Sequence, residues 1–224
     1  MNFFKFSQQF FLKFILLDKK GEFILKKILI FLSKGVEILE LAPFIDVFGW
    51  NSVVGDKENL IEIKTFSLRE NIKCTWTLEI KSQMVIFKEE EIEIEQYDAL
   101  VIPGGFGMSG FFKDGKDIRI QTIIKKFIEN KKIVVGICTG AILLGETGVL
   151  ENKKATTYFL DNERYFKQLN KFKAIPIKEK IVKDENIFTT ANPESALEMA
   201  FILLELLTDK KNMDLVKLNM GYKI

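Results

Sequence analysis

Three apolar runs, KKILIFL (26–32), YDALVIPGG (97–105) and KKIVVGIC (131–138), each end at a turn and give way to a helical pattern. A strand that is apolar on both faces is stable only where layers cover it from both sides. These runs therefore require an α/β fold around a largely parallel sheet. The segments between them fit. Residues 38 to 54 carry a helical apolar face, IEIKTFS and KCTWTLEI read as strands, and DIRIQTIIKKFIENKK is an amphipathic helix with Ile120, Ile123, Ile124, Phe127 and Ile128 on one side. Toward the end, KAIPIKEK and IVKDENIFTTA read as a hairpin-like pair, followed by helices over ESALEMAFILLELLT and KNMDLVKLNMG, with Pro193 suiting the start of the first.

Composition excludes several classes of function. The 33 Lys and Arg against 31 Asp and Glu are too balanced for a chain built to grip a nucleic-acid backbone. There is no histidine, which removes Ser-His-Asp and Cys-His catalysis and the HExxH zinc sites. Cys74 and Cys138, the two cysteines, are too few for a disulfide scaffold or a four-ligand zinc site, so no metal is expected and a reducing cytoplasm is the natural location. Lys13 and Glu205 interrupt the longest apolar stretches, which argues against a membrane span.

Residues 1–25 read as an N-terminal extension outside the fold, and residues 26–224 as one domain. The extension is rich in Phe and lacks a small-residue cleavage site, so it is no ordinary secretory signal. Lys20-Gly21-Glu22 is compatible with a ribosome-binding sequence ahead of an alternative start at Leu25, and a membrane-associating helix is the other reading.

Gly136-Ile137-Cys138-Thr139-Gly140 lies between an apolar strand and the helical run AILLGETG. That is the strand-turn-helix setting of a nucleophile elbow with Cys in place of Ser, where helix amides favour thiolate and lower the thiol pKa. An ordinary buried cysteine is the alternative reading of the same five residues. Gly104 and Gly105, in Pro103-Gly104-Gly105-Phe106-Gly107, leave backbone amides open to a ligand and suit an oxyanion site, or form a plain βα turn. Glu40 has Leu39 and Leu41 as neighbours, the setting of a buried carboxyl whose pKa is raised and which can donate a proton. All three elements follow strand ends, where open α/β sheets place their sites. Cys74, Trp50 and Trp76 read as packing residues, KEEEIEIE (88–95) as a solvated face, and Phe106, Phe111 and Phe112 as pocket walls or dimer contacts.

The segments KKILIFLSKGVEILELAPFIDVFGW, YDALVIPGGFG, IVVGICTGAILLGETGVLENKKATTY and ANPESALEMAFILLELLT together resemble the ThiJ/PfpI superfamily. That group includes the parkinsonism-associated protein deglycase, isonitrile hydratase and PfpI-type intracellular peptidases. The resemblance implies a flavodoxin-like sandwich, of the class I glutamine-amidotransferase-like type, with a mostly parallel sheet and helices on both faces, assembled as a homodimer. It makes Cys138 the nucleophile, Glu40 the acid hydrogen-bonded to its sulfur, and Gly105 and Thr139 the backbone donors. It also places Tyr158, in Ala155-Thr156-Thr157-Tyr158, where relatives often carry histidine. A phenol with a pKa near 10 is a poor base at neutral pH, so peptidase and esterase chemistry loses its base. Cofactor-free addition of Cys138 to a small electrophile, an isonitrile or a 2-oxoaldehyde, is the expected chemistry. A redox- or stress-sensing protein or chaperone whose cysteine is oxidised is the alternative.

Overall fold

The computed structural model describes residues 25–56, 60–160 and 162–223. The expectations for the N-terminal extension lie outside the described residues, apart from Leu25. Strand β1 (Lys26–Phe31) leads to helix α1 (Ile38–Val54) and strand β2 (Ile61–Ser67), with the limits that the apolar periodicity indicates. Short strands β3 (Asn71–Lys73), β4 (Glu79–Lys81) and β5 (Met84–Val85) follow. Then come β6 (Ala99–Ile102), helices α2 (Phe111–Gly115) and α3 (Ile118–Glu129), β7 (Ile133–Ile137) and helix α4 (Gly140–Glu146). The chain continues through β8 (Lys154–Ala155), α5 (Gln168–Lys171), β9 (Ile175–Pro176), β10 (Ile181–Asp184), β11 (Ile187–Thr190), α6 (Ser195–Leu207) and α7 (Lys210–Asn219).

The central sheet has seven strands in the order β10-β11-β7-β6-β1-β2-β5, all parallel except β10 against β11. Because successive side chains on a strand point to opposite faces, each strand feeds two cores. Ile28 and Ile30 join one core, with Phe44 and Val47 of α1 and Met199 and Leu203 of α6. Leu29 and Phe31 join the other, with Ile120, Ile123, Ile124 and Phe127 of α3 and Leu144 of α4. Helix α3 begins where Asp117 accepts the Arg119 N–H at 3.0 Å, so a side chain supplies its first cap. Among the described residues no helix is long and apolar enough to cross a membrane.

Two local expectations are corrected. KCTWTLEI is not one strand: β3 and β4 form an antiparallel hairpin, and Cys74 to Leu78 make its turn, closed by the Cys74 N–H donating to Leu78 O at 3.0 Å. The turn takes the stretch because Thr75 is drawn away to the turn between β1 and α1, its N–H donating to Val36 O and its hydroxyl to Gly35 O. The second is the terminal hairpin, which lies wholly within IVKDENIFTT as β10 and β11. Ile175–Pro176 pairs instead with β8 in a separate two-stranded sheet. KEEEIEIE is two 3-10 turns anchored by buried Ile92 and Ile94.

Phe127 is fully buried between α3 and the sheet, whereas Val53 is 78% exposed on α1. Phe127→Ala should lower the unfolding free energy by about 3–5 kcal/mol, and Val53→Ala should change it by less than about 0.5 kcal/mol, as read by urea denaturation. A small effect at Phe127 would mean that this core is loosely packed.

Candidate active site

The turns after β1, β6 and β7 meet at one end of the sheet. Gly35, at φ +74°, turns the chain out of β1. Val36 then bridges to Gly105, and the Glu37 N–H donates to Gly104 O at 2.9 Å. A side chain has no room here: a Cβ on Gly104 would lie 2.6 Å from Glu40 Oε2 and 2.5 Å from Thr139 Oγ1, and one on Gly105 would overlap the Gly35 carbonyl oxygen. Close backbone approach is what these glycines provide.

Cys138 occupies the elbow between β7 and α4 with φ +51°, a left-handed conformation that few non-glycine residues adopt. Three contacts hold it there. Its N–H donates to Thr190 O at 2.9 Å, the Thr157 hydroxyl donates to Cys138 O at 2.7 Å, and the Thr139 N–H is directed at its sulfur. A left-handed residue held by three contacts at a strand end is a candidate functional position. Tyr158 follows Thr157 directly and packs, half-buried, against the core that includes Cys138.

Glu40, on the first turn of α1, is 2% exposed. Its Oε2 accepts the Gly104 N–H at 2.6 Å, and the Cys138 side chain is its other hydrogen-bond partner. Burial pushes this carboxyl up to about 8, against the pull of the Gly104 amide and Cys138, and the neighbouring Glu37 adds to the rise. Glu40 therefore carries its proton at neutral pH, as its apolar sequence neighbours suggest.

The expectation of a lowered thiol pKa is corrected. Burial pushes the Cys138 thiol well above its ordinary value, and the charges of Glu40 and Glu37 act in the same direction, while the Thr139 N–H opposes them. Helix α4 has only seven residues, Gly140–Glu146, so its dipole is a small term against desolvation beside two carboxyl groups. Cys74 is also buried, and its thiol is pushed up by burial and by Glu37 and Glu79.

The glycine turn differs from expectation too. The Gly105 N–H is given to Thr139 Oγ1 at 2.9 Å, and the same hydroxyl donates to Gly105 O at 2.8 Å. The Gly104 N–H is given to Glu40, so both glycine amides are engaged and the Thr139 amide is the one facing sulfur. Phe111 is fully buried in the α3-side core and walls no pocket.

One residue, Glu37, escapes the sequence reading, and the packing role expected of Trp76 is corrected. Glu37 is buried beside Glu40, and its Oε1 accepts the Trp76 Nε1–H at 3.2 Å. Trp76 is 61% exposed, not packed inside, and meets Phe106 with ring centroids 5.4 Å apart. The available signal is spacing: Glu37 and Glu40 stand three apart at a helix start and share a face. Trp50 is likewise exposed. Among the described residues no three His, Cys, Asp or Glu side chains converge as a metal site.

The sequence and the fold are matched in known proteins. The profile of the DJ-1/PfpI family matches residues 26–206. Isonitrile hydratase of Pseudomonas putida is 30% identical over 125 residues, 56% of this chain and 52% of that protein. Protein dj-1beta of Drosophila melanogaster is 23% identical over 186 residues, 83% of this chain and 91% of that one. The chain thus spans about half the length of the isonitrile hydratase. The crystal structure of Drosophila DJ-1beta superposes with a TM-score of 0.73 at 21% identity, covering 90% of this chain and all of that one. A ThiJ/PfpI family protein from Pseudomonas syringae gives 0.72 at 19% identity over 89% of this chain and 76% of its own. These neighbours share the flavodoxin-like architecture expected from the sequence. With a family profile that runs from β1 into α6, the chain belongs to the DJ-1/PfpI family.

Proposed function

We propose that this protein is a cofactor-independent enzyme in which Cys138 adds to the electrophilic carbon of a small molecule and Glu40 manages the proton. The observation that carries this reading is a buried carboxyl, raised to about 8, hydrogen-bonded to the elbow cysteine. Such a pair enters the reaction with both protons in place. For an isonitrile, Glu40 gives its proton to the terminal carbon as the sulfur bonds to that carbon, and the carboxylate left behind takes the thiol proton. The product is a thioimidate. Water then adds to the same carbon, the carbon–sulfur bond breaks, sulfur regains a proton, and an N-substituted formamide leaves. A 2-oxoaldehyde would react by the same opening step, its carbonyl oxygen taking the proton to form a thiohemiacetal. No imidazole is needed in either sequence, which suits a chain without histidine.

The similarity to isonitrile hydratase favours the isonitrile among these electrophiles. The Thr139 amide beside sulfur is the donor that would steady developing charge, and Gly104 and Gly105 build the turn that places Glu40 and Thr139. Residues 26–224 acting as one domain, a homodimer and a cytoplasmic location belong to the same reading. A second reading follows from the engaged glycine amides: with one backbone donor at sulfur, Cys138 can serve as an oxidation sensor, two equivalents of peroxide converting its thiol to a sulfinate with release of water, and Thr139 and the Glu40 proton holding the product.

Turnover of aryl isonitriles and methylglyoxal, followed in wild type and Cys138→Ser, separates the two. Wild-type turnover of one of them, lost by at least a hundredfold in Cys138→Ser, is the result expected; activity that survives the substitution overturns the cysteine mechanism.

Protonation links the site to stability. The folded protein keeps the Glu40 proton from the ordinary value of 4.5 up to about 8, a window in which the unfolded chain has lost it. Raising pH through that window therefore favours unfolding, by up to roughly 5 kcal/mol at about 1.4 kcal/mol per pH unit. Glu40→Gln removes this dependence, so the variant should match wild type near pH 4.5 and exceed it near pH 9 in urea unfolding. Parallel profiles would show Glu40 ionised in the folded state.

Above about pH 8, where Glu40 is ionised, the same substitution removes a negative charge beside sulfur. Iodoacetamide labelling of Cys138 in Glu40→Gln should rise at a lower pH than in wild type, as read by peptide mass, with Cys74 unchanged. An unshifted profile would mean that the Glu40 charge does not reach the thiol.

A further inference from the structure

Trp76 is held in one place yet left open. Its indole N–H is given to a buried carboxylate, Glu37, at 3.2 Å, and its ring lies against Phe106 at 5.4 Å and 55°. Nonetheless the residue is 61% exposed, and Phe106 is 44% exposed. A ring needed for core packing would be covered, and a ring on an idle turn would not be anchored by a buried acid. Both rings also grow from the reacting site's own supports. Phe106 follows Gly105, which holds Thr139, while Trp76 is bonded to Glu37, one helical turn before Glu40.

The electrostatics of the site point the same way. The carboxylate charge that acts on both Cys138 and Glu40 is that of Glu37, and Glu40 adds its own at the sulfur once it ionises above about pH 8. Like charges in a poorly hydrated site repel an incoming anion strongly, and an exposed aromatic pair attracts an apolar body. We propose that Trp76 and Phe106, with Glu37 fixing the indole, form the recognition wall of the Cys138 site and select uncharged electrophiles bearing a planar apolar substituent over anionic ones. The inference rests on Cys138 being the reacting atom, as in the function proposed above. Trp76 and Phe106 set specificity and Glu37 positions; none of them exchanges a proton with the substrate.

Three alkylating probes test this: 2-iodo-N-phenylacetamide, iodoacetamide and iodoacetate. In each, the sulfur–carbon bond forms as the carbon–iodine bond breaks, iodide leaves, and the thiol proton passes to solvent. Rates at Cys138, followed by peptide mass at one pH, are divided by the rates with free cysteine to remove intrinsic reactivity. Wild type should favour the phenyl probe over iodoacetamide by about fivefold or more, and disfavour iodoacetate. Trp76→Ala and Phe106→Ala should each reduce the phenyl preference to within about twofold, while Trp76→Phe, which keeps a ring but loses the N–H held by Glu37, should give an intermediate preference. Glu37→Gln keeps an acceptor for the indole and should raise the relative rate of iodoacetate several-fold. Trp76 and Phe106 are 61% and 44% exposed, so neither truncation opens a cavity in the core, and two independent truncations protect the test against one misfolded variant. An unchanged phenyl preference in both alanine variants, with Cys138 still labelled, overturns the wall alone. Failure of every probe to label Cys138 in wild type overturns the reactive-cysteine reading and the wall with it.

Discussion

Everything at this site depends on backbone approaching backbone where no side chain fits. The hydrogen bond from the Gly104 N–H to Glu40 Oε2, 2.6 Å long, exists because Gly104 has no Cβ to lie between α1 and the β6 turn. Gly105 pairs with Val36 across the same gap, and its amide engages Thr139 at the start of α4. Three strand ends are thereby locked to one another, and Cys138 is trapped in its left-handed conformation at their junction. Hydrophobic burial drives the sheet and helices together, but it is non-directional and would not set this geometry alone. The short polar contacts do so, while burial in this water-poor setting, against the pull of those same contacts, makes the carboxyl hold its proton.

The two carboxyl groups at the start of α1, Glu37 at its N-cap and Glu40 in its first turn, divide the work by environment. Glu40 faces the sulfur and the Gly104 amide, and burial keeps it neutral near pH 7. Glu37 faces outward to the indole and contributes a negative field to both Glu40 and Cys138. A single helical turn thus supplies an acid and the charge that helps to keep it protonated. Burial first, and then the charge of these carboxyl groups, explain why the thiol is not a standing thiolate.

How much of this could be read from the sequence depended on the range of the interaction. The limits of α1 and β2 follow from local periodicity, and the three strand-end turns announce themselves through Gly35, Gly104, Gly105, Gly136 and Gly140. The apolar neighbours of Glu40 indicated a buried acid correctly. What failed was non-local. Cys74 to Leu78 turn instead of continuing a strand because Thr75 pairs with Val36, 39 residues earlier in the chain by number. The Gly105 amide is engaged by a hydroxyl 34 positions away. The thiol pKa of Cys138 was misjudged because desolvation outweighs a seven-residue helix, and desolvation is a property of the assembled core. Trp76 was misplaced because an apolar side chain usually goes inside, and nothing nearby in sequence reveals the buried acid that anchors it outside.

The two margins of the central sheet have a consequence for the life of the chain in a crowded solution. At one margin β5 offers two residues, Met84 and Val85, and at the other β10 is a four-residue antiparallel strand ending in Lys183 and Asp184. An exposed strand is a template on which a second chain can lay its own backbone, and its hazard grows with its length and flatness. A core of continuous apolar strands such as β1, β6 and β7 would be dangerous if it lay at such a margin, but the topology seats all three inside the sheet. The segments most prone to stacking into fibrils are therefore the ones with no unpaired side to offer.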